Sequence, residues 1–287
     1  MSKKSVEISK NTLSKQTTGL KRETTDKFYT KKEIVEDCID YFKCFISIDD
    51  NDLFIEPSAG NGSFIAEIKT ISSNYEFYDL KPENKEIKKQ DYLSYNHTDA
   101  SKDKYNRVHI VGNPPFGRQA SLAKKFIKHS CKFCNSISFI LPKSFKKDSM
   151  KRCFNLYFHL VFEYELPDNT FLVNGKDYNV PCVFQIWEKK DTKRFVEAKL
   201  EPQEFLFVKI EEQPDISFRR VGVNAGTICN INDEIQQKSE QSHYFIKVNN
   251  GIDVNKFVKK LTDIKFETNN TVGPKSISKQ ELIKAII

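Results

Sequence analysis

Across residues 31–45 (KKEIVEDCIDYFKCF) the apolar positions Ile34, Cys38, Ile39, Phe42 and Phe45 recur at helical spacing, which predicts a helix ahead of the first strand. Short apolar runs then alternate with polar helical stretches. Strands are expected at Leu53 to Glu56, Tyr75 to Leu80, Arg107 to Val111 and Ile137 to Leu141, with helices from Gly62 to Thr70 and from Ser121 to Cys131. This alternation predicts an α/β fold with a mainly parallel sheet and helices on both faces. After about Met150 the segments Phe154 to Leu166 and Val180 to Trp187 are aromatic-rich and alternating, as suits antiparallel strands at a sheet edge. The first twenty-odd residues have no periodicity and read as a disordered arm over 1–26. Residues 27–194 then read as the principal domain. The more polar 195–287, with Gly/Asn-rich stretches and a helix-like end, read as a smaller module.

Charge changes this picture in one place. The chain carries a net +7, but residues 1–32 hold nine Lys/Arg against three acids, leaving 37 bases against 36 acids elsewhere. The body is nearly neutral, and the basic arm offers at most non-specific attraction to phosphates. No apolar run reaches membrane-spanning length and no secretory segment opens the chain, so a soluble intracellular protein is expected. Seven irregularly spaced Cys then imply reduced thiols. The Cys131/Cys134 pair lacks a second pair at zinc spacing, so buried or half-buried thiols are expected there and no metal site. With 23 Phe and 11 Tyr, the chain has ample mass for a core.

In open parallel sheets ligands sit beyond the carboxyl ends of the strands, where strand order reverses. Unusual residues follow four of the expected elements. After the first strand comes Glu56-Pro57-Ser58-Ala59-Gly60-Asn61-Gly62-Ser63-Phe64, then Asp79, Asp91 and finally Asn113-Pro114-Pro115-Phe116. Each piece alone has a structural explanation: a glycine turn, a helix-capping acid, a proline-stiffened turn. Their order is more specific. A nucleoside ligand needs a glycine turn against its extended chain, a carboxylate for its ribose hydroxyls and an acceptor for its adenine amine. The loop, Asp79 and Asp91 match those needs.

Over roughly residues 27–190 these motifs resemble the adenine-specific amino-methyltransferases of DNA in the gamma motif order, most specifically at V-G-N-P-P-F. The resemblance implies a Rossmann-like class I methyltransferase fold with a mainly parallel seven-stranded sheet, and S-adenosyl-L-methionine as cofactor. It implies that Tyr29 and Thr30, in Phe28-Tyr29-Thr30, hold the methionine end. Glu56, Pro57, Ser58, Gly60, Gly62 and Phe64 would form the cofactor loop, although many relatives differ at positions 58 and 61. Asp79, followed by Leu80, would bind the ribose, and Asp91 would lie near the cofactor adenine. Asn113, Pro114, Pro115 and Phe116 would be catalytic, with Asn113 also beside the cofactor. Ile137 to Phe145 resembles the strand and turn that follow in the family.

The amino nitrogen of adenine is a poor nucleophile because its lone pair is delocalised into the ring. The Asn113 side-chain oxygen and the Pro114 carbonyl can bind both amino hydrogens and draw the nitrogen toward tetrahedral geometry. The prolines stiffen the turn, and Phe116 offers a ring for an extruded base. Phe171, Phe184 and Trp187 could supply a second stacking ring, but a core position is expected for each. Residues 195–287 are the one candidate for a target-recognition module, with Arg219, Arg220, Asn224, Lys275 and Ser276 as candidate nucleic-acid contacts. The expectation is methyl transfer to the 6-amino group of adenine in DNA. The alternatives are adenine in RNA, a protein glutamine amide and a non-catalytic binding module.

Overall fold

The computed structural model describes residues 28–97, 104–266 and 269–287; the expected arm over 1–26 lies outside them. The central sheet has seven strands: β2 (Leu53–Glu56), β3 (Tyr75–Asp79), β4 (Lys88–Lys89), β5 (Val108–Gly112), β6 (Ser136–Pro142), β7 (Phe158–Glu165) and β10 (Cys182–Lys189). Their spatial order is β4-β3-β2-β5-β6-β10-β7. The strands from β4 to β6 pair parallel, and β10 pairs antiparallel with both β6 and β7. This is the Rossmann-like class I order with one reversed strand, as expected. The chain leaves β2 toward β3 and β4, then returns to place β5 on the other side of β2. The reversal of order therefore falls between β2 and β5, where a ligand crevice belongs.

The inner strands read as continuous apolar runs because both faces are covered. On one face Phe54, Val111, Ile140 and Phe184 pack under helices α1 (Lys32–Phe45) and α2 (Ile65–Ile71). On the other, Leu53, Ile55, Ile110, Phe139 and Val183 meet Ala123 and Ile127 of α3 (Ser121–Ser130). The period-two alternation along each strand splits its residues between these two cores. Helix α1 buries Ile34, Val35, Cys38, Ile39 and Phe42, the stripe at helical spacing, while Phe45 stays exposed. Helix α2 starts three residues later than its sequence predicts. Gly62 has φ +90° and its carbonyl accepts from the Ile65 amide, so a turn precedes the helix. Phe154 to Tyr157 likewise stay out of β7, and the Phe154 ring stacks on Trp187 at 3.9 Å.

A second, three-stranded sheet lies beside the loops that follow β2 and β5: β1 (Tyr29–Thr30) pairs antiparallel with β8 (Phe171–Val173), which forms a hairpin with β9 (Lys176–Tyr178). Farther along, β11 (Phe205–Val208), β12 (Ile216–Arg219), β13 (Ile228–Cys229) and β14 (His243–Val248) form an antiparallel sheet in the order β11-β14-β12-β13. Phe205, Ile216, Phe218 and Ile246 pack there with Phe257 and Leu261 of α4 (Val254–Asp263) and Leu282, Ile283 and Ile286 of α5 (Lys279–Ile286). This core is separate from the two that flank the central sheet. Among the described residues no helix is long and apolar enough to cross a membrane.

Candidate active site

A concavity opens where the order of strands reverses. It is a cavity of about 340 Å³ between the loop after β2, the ends of β3 and β4, and the loop after β5. Tyr29, Thr30, Glu56, Pro57, Ser58, Gly60, Phe64, Asp79, Leu80, Asp91, Asn113, Pro114, Pro115 and Phe116 all line it. Of the residues singled out around the cofactor loop, Gly62 does not. Its lack of a side chain serves the turn, because a Cβ there would come within 2.7 Å of Ile65 and 2.9 Å of Asn84.

The loop after β2 is held by the neighbouring strand. The Ala59 amide donates to the Tyr78 carbonyl (2.9 Å), and the Gly60 amide donates to Asp79 Oδ2 (2.8 Å). Asp79 Oδ1 accepts from the Lys81 amide at 2.7 Å. Each carboxylate oxygen thus holds one backbone group and keeps a second lone pair for a ligand in the cavity. Asp91 caps the turn that follows β4, accepting from the Leu93 amide at 2.9 Å. The Tyr29 hydroxyl donates to the Glu83 carboxylate (2.7 and 2.8 Å), tying β1 to the segment after β3.

Glu56, the last residue of β2, is only 2% exposed, and its Oε2 has no hydrogen-bond partner. Burial, with the nearby charge of Asp79, pushes its carboxyl well above the usual carboxylate range. The close approach of β5 requires Gly112, at φ +144°, since a Cβ there would lie 3.0 Å from Glu56 Cγ. A buried acid in a ligand cavity with an unused acceptor is poised for a cationic or donor group.

Asn113 follows β5. Its Nδ2 donates to the Phe28 carbonyl (3.2 Å) and, at a longer 3.4 Å, to Thr30 Oγ1. The Phe28 ring stacks against Phe116 (6.4 Å between centroids) and Tyr178 (5.3 Å). Phe28, Ala59, Asn61 and Ser63, which stand inside the two motifs, line the cavity too, as do Lys81, Gln90, Tyr92, Leu122 and Phe126, to which the sequence alone gives no role. Leu122 and Phe126 sit on α3 in an ordinary amphipathic pattern, so nothing local marks them. Gln90 and Tyr92 flank Asp91, and that adjacency is a usable signal. Phe171, Phe184 and Trp187 are fully buried core residues. Cys134 is buried and Cys131 half-buried.

The candidate nucleic-acid residues lie outside this cavity, yet the fold brings them together. Val221 and Ser276 form an antiparallel bridge, the Gly222 amide donates to the Lys275 carbonyl (2.9 Å), and the Ile277 amide to the Arg220 carbonyl (2.8 Å). Arg219 Nε donates to the Val221 carbonyl at 3.2 Å, and the Arg220 guanidinium lies over the Tyr244 ring at 5.1 Å. Lys275 donates to the Phe266 carbonyl, and Asn224 is exposed. Lys147, just beyond the turn that follows β6, donates to the Ser276 carbonyl (2.8 Å) and to Glu281 (3.2 Å). These loops therefore abut the carboxyl end of the central sheet. Among the described residues no group of three or more His, Cys, Asp or Glu side chains is arranged to hold a metal ion.

Residues 65–200 match the EDM2 methyltransferase-like domain. The matched span contains Asp79, Asp91 and N-P-P-F, and begins just after the glycine loop. No curated protein matches the chain. Among solved structures, a proposed RNA methyltransferase of Pyrococcus horikoshii is 12% identical with a TM-score of 0.45, over 60% of this chain and 92% of that one. A type I restriction-modification methyltransferase subunit of Streptococcus thermophilus is also 12% identical, TM-score 0.42, over 73% of this chain. The chain spans 52% of that subunit's length. The N-methyltransferase NodS of Bradyrhizobium japonicum, bound to S-adenosylhomocysteine, is 10% identical with a TM-score of 0.38, over 56% of this chain and 87% of that one.

Proposed function

We propose that the chain is an S-adenosylmethionine-dependent methyltransferase that acts on the 6-amino group of adenine in DNA. The observation that carries this reading is that the E-P-S-A-G-N-G loop and N-P-P-F, on the two strands flanking the reversal of order, open into one cavity. The match of residues 65–200 to a methyltransferase-like domain supports it.

The residues present fit the cofactor. The unpartnered, buried Glu56 carboxylate suits an ammonium group, and the free lone pairs of Asp79 suit ribose hydroxyls. Asp91 supplies an acceptor for an adenine amine, and Tyr92, Pro115, Leu122 and Phe126 supply apolar walls for its ring. S-adenosylmethionine, when bound, supplies a methyl group on a sulfonium centre. The rest falls to the chain. Asn113 Oδ1 and the Pro114 carbonyl accept both hydrogens of the target amine, which localises its lone pair for in-line attack. Phe116 would stack on the extruded base; as the new N–C bond formed, the methyl group's bond to sulfur would break to leave a neutral thioether, and the amine would lose its extra proton to solvent. The loops around Arg219, Arg220, Asn224, Lys275 and Ser276 hold the nucleic acid beside the carboxyl end of the sheet, with residues 195–287 serving as the target-recognition module.

The test is identification of the product. The protein is incubated with labelled S-adenosylmethionine and, separately, duplex DNA, single-stranded DNA, RNA and a protein extract; products are digested and identified by mass. Label on the amino group of DNA adenine is expected, and its loss in Asn113→Ala by more than about 100-fold. Label confined to RNA or to glutamine would keep the fold and cofactor but overturn the substrate.

A further inference from the structure

Strand β1 touches the catalytic turn as well as the cofactor side of the cavity, and the contact concerns the orientation of one amide. An asparagine side chain can present either its oxygen or its NH2 group to a ligand, and only the oxygen can receive the hydrogens of an amine. The backbone carbonyl of Phe28 is an acceptor with nothing to donate, and it lies 3.2 Å from Asn113 Nδ2. The Thr30 hydroxyl oxygen adds a longer contact to the same nitrogen at 3.4 Å. With the NH2 group so engaged, Oδ1 is the atom left for the target amine.

The carbonyl is itself fixed. Tyr29 and Thr30 pair with Leu172 and Phe171 of β8, and the Lys31 amide donates to the Thr170 carbonyl at 3.1 Å. The Phe28 ring packs between Phe116 and Tyr178, so one residue orients the amide with its backbone and supports the stacking ring with its side chain.

We propose that Phe28 and Thr30 are positioning residues for methyl transfer, setting the Asn113 amide with its oxygen toward the target amine, beyond any contact they make to the cofactor. The inference rests on Asn113 being the acceptor for that amine. It has a chemical consequence at position 113. An ionised aspartate there would set a carboxylate oxygen against the Phe28 carbonyl, two acceptors with no hydrogen between them. A protonated carboxyl could instead donate to Phe28 and keep its C=O toward the amine.

The experiment compares wild type, Asn113→Asp, Thr30→Val and Thr30→Ser for cofactor affinity by calorimetry and for kcat, KM and pH profile on adenine-containing DNA. In Asn113→Asp the rate should be low at neutral pH and rise as pH falls, by up to about tenfold per unit while the carboxyl is mostly ionised. Thr30→Val should lower kcat about fivefold at saturating cofactor, over and above any loss of cofactor affinity, and Thr30→Ser should recover the lost rate. An Asn113→Asp variant with the wild-type pH profile overturns the proposal. So does a Thr30→Val variant that weakens cofactor binding alone. A wild type that transfers no methyl group to any polynucleotide overturns the parent reading and this one with it; an active wild type with indifferent variants overturns this one only.

Discussion

Two buried acids bracket β2 and face opposite fates. Asp52, which immediately precedes the strand, is wholly buried and satisfied. It accepts from Arg107 Nε and Nη2 (3.2 and 2.8 Å), from the Asp49 amide (2.8 Å), and lies 3.1 Å from His109 Nε2. Burial alone would raise its carboxyl, but the bonds from His109, Asp49 and Arg107 outweigh it and hold the group down at about 2. Glu56, at the other end of the strand, is equally buried, carries an oxygen without a partner and is pushed up by the same burial. The sheet is closed by its own residues at the amino edge and left chemically incomplete at the carboxyl edge. An unmet group of that kind lowers stability, and on the function proposed above it is the cofactor that would meet it.

Removing the satisfied acid should have the largest effect. Asp52→Leu strands His109 and the inner side of Arg107 without their anion, and breaking a buried pair in this way costs about 3 to 5 kcal/mol. Urea unfolding should show that loss. A variant as stable as wild type would mean that the network contributes nothing and the contrast with Glu56 is empty.

Glu56→Gln should behave in the opposite sense. Without ligand the variant should be as stable as wild type, or more stable by about 1 kcal/mol, because it removes a carboxylate with no partner for one of its oxygens. Its affinity for S-adenosylmethionine should fall about tenfold or more, the worth of a charge-assisted hydrogen bond. Calorimetry and thermal unfolding on the same samples check both. Unchanged affinity would show that the carboxylate is not reserved for the cofactor.

The sequence made both ends of this comparison visible to different degrees. Glu56 stood out because it opens a glycine loop after a fully apolar strand, and the same logic exposed Asp79, Asp91 and Asn113 at successive strand ends. The central strands were legible because burial on both faces leaves unbroken apolar runs such as L-F-I in β2 and F-I-L in β6. Asp52, Arg107 and His109 were not, since an acid, a base and a histidine separated by some fifty residues announce no contact until the sheet pairs β2 with β5. The small sheet of β1, β8 and β9 escaped for a related reason. Strands of two and three residues have no periodicity to read, and Tyr29 finds Leu172 only through the tertiary fold. Phe28 and Thr30 therefore looked like cofactor residues alone. The pairing of Val221 with Ser276, which gathers two donor-rich loops, was hidden in the same way.

The smallest expected effect is a slope in acid stability, and it isolates the histidine of the amino-edge network. Burial holds His109 below its ordinary value of 6.5, against the opposing pull of Asp52. With Nε2–H donating to Asp52 and Nδ1 accepting from Ser136 Oγ (2.7 Å), the neutral ring is the form that fits. As pH falls through 6.5 the unfolded chain takes up a proton that the folded one refuses, so stability should drop, by about 1 kcal/mol by pH 5. The contribution of Asp52 is present above 3.8 and disappears only as pH falls from there toward about 2, so it does not interfere in that window. Glu56 has the opposite sign. Its raised carboxyl stabilises the fold below 4.5 and loses that contribution as pH rises, so it would mask part of the His109 slope. The measurement is therefore made in Glu56→Gln, comparing urea midpoints at pH 7 and pH 5 with and without His109→Gln, which keeps a neutral donor toward Asp52. The double variant should lose the slope while the Asp52 loss near pH 3 remains. Equal slopes in both backgrounds would show that His109 takes up its proton within the fold as readily as outside it, and that the amino edge is less closed than its hydrogen bonds imply.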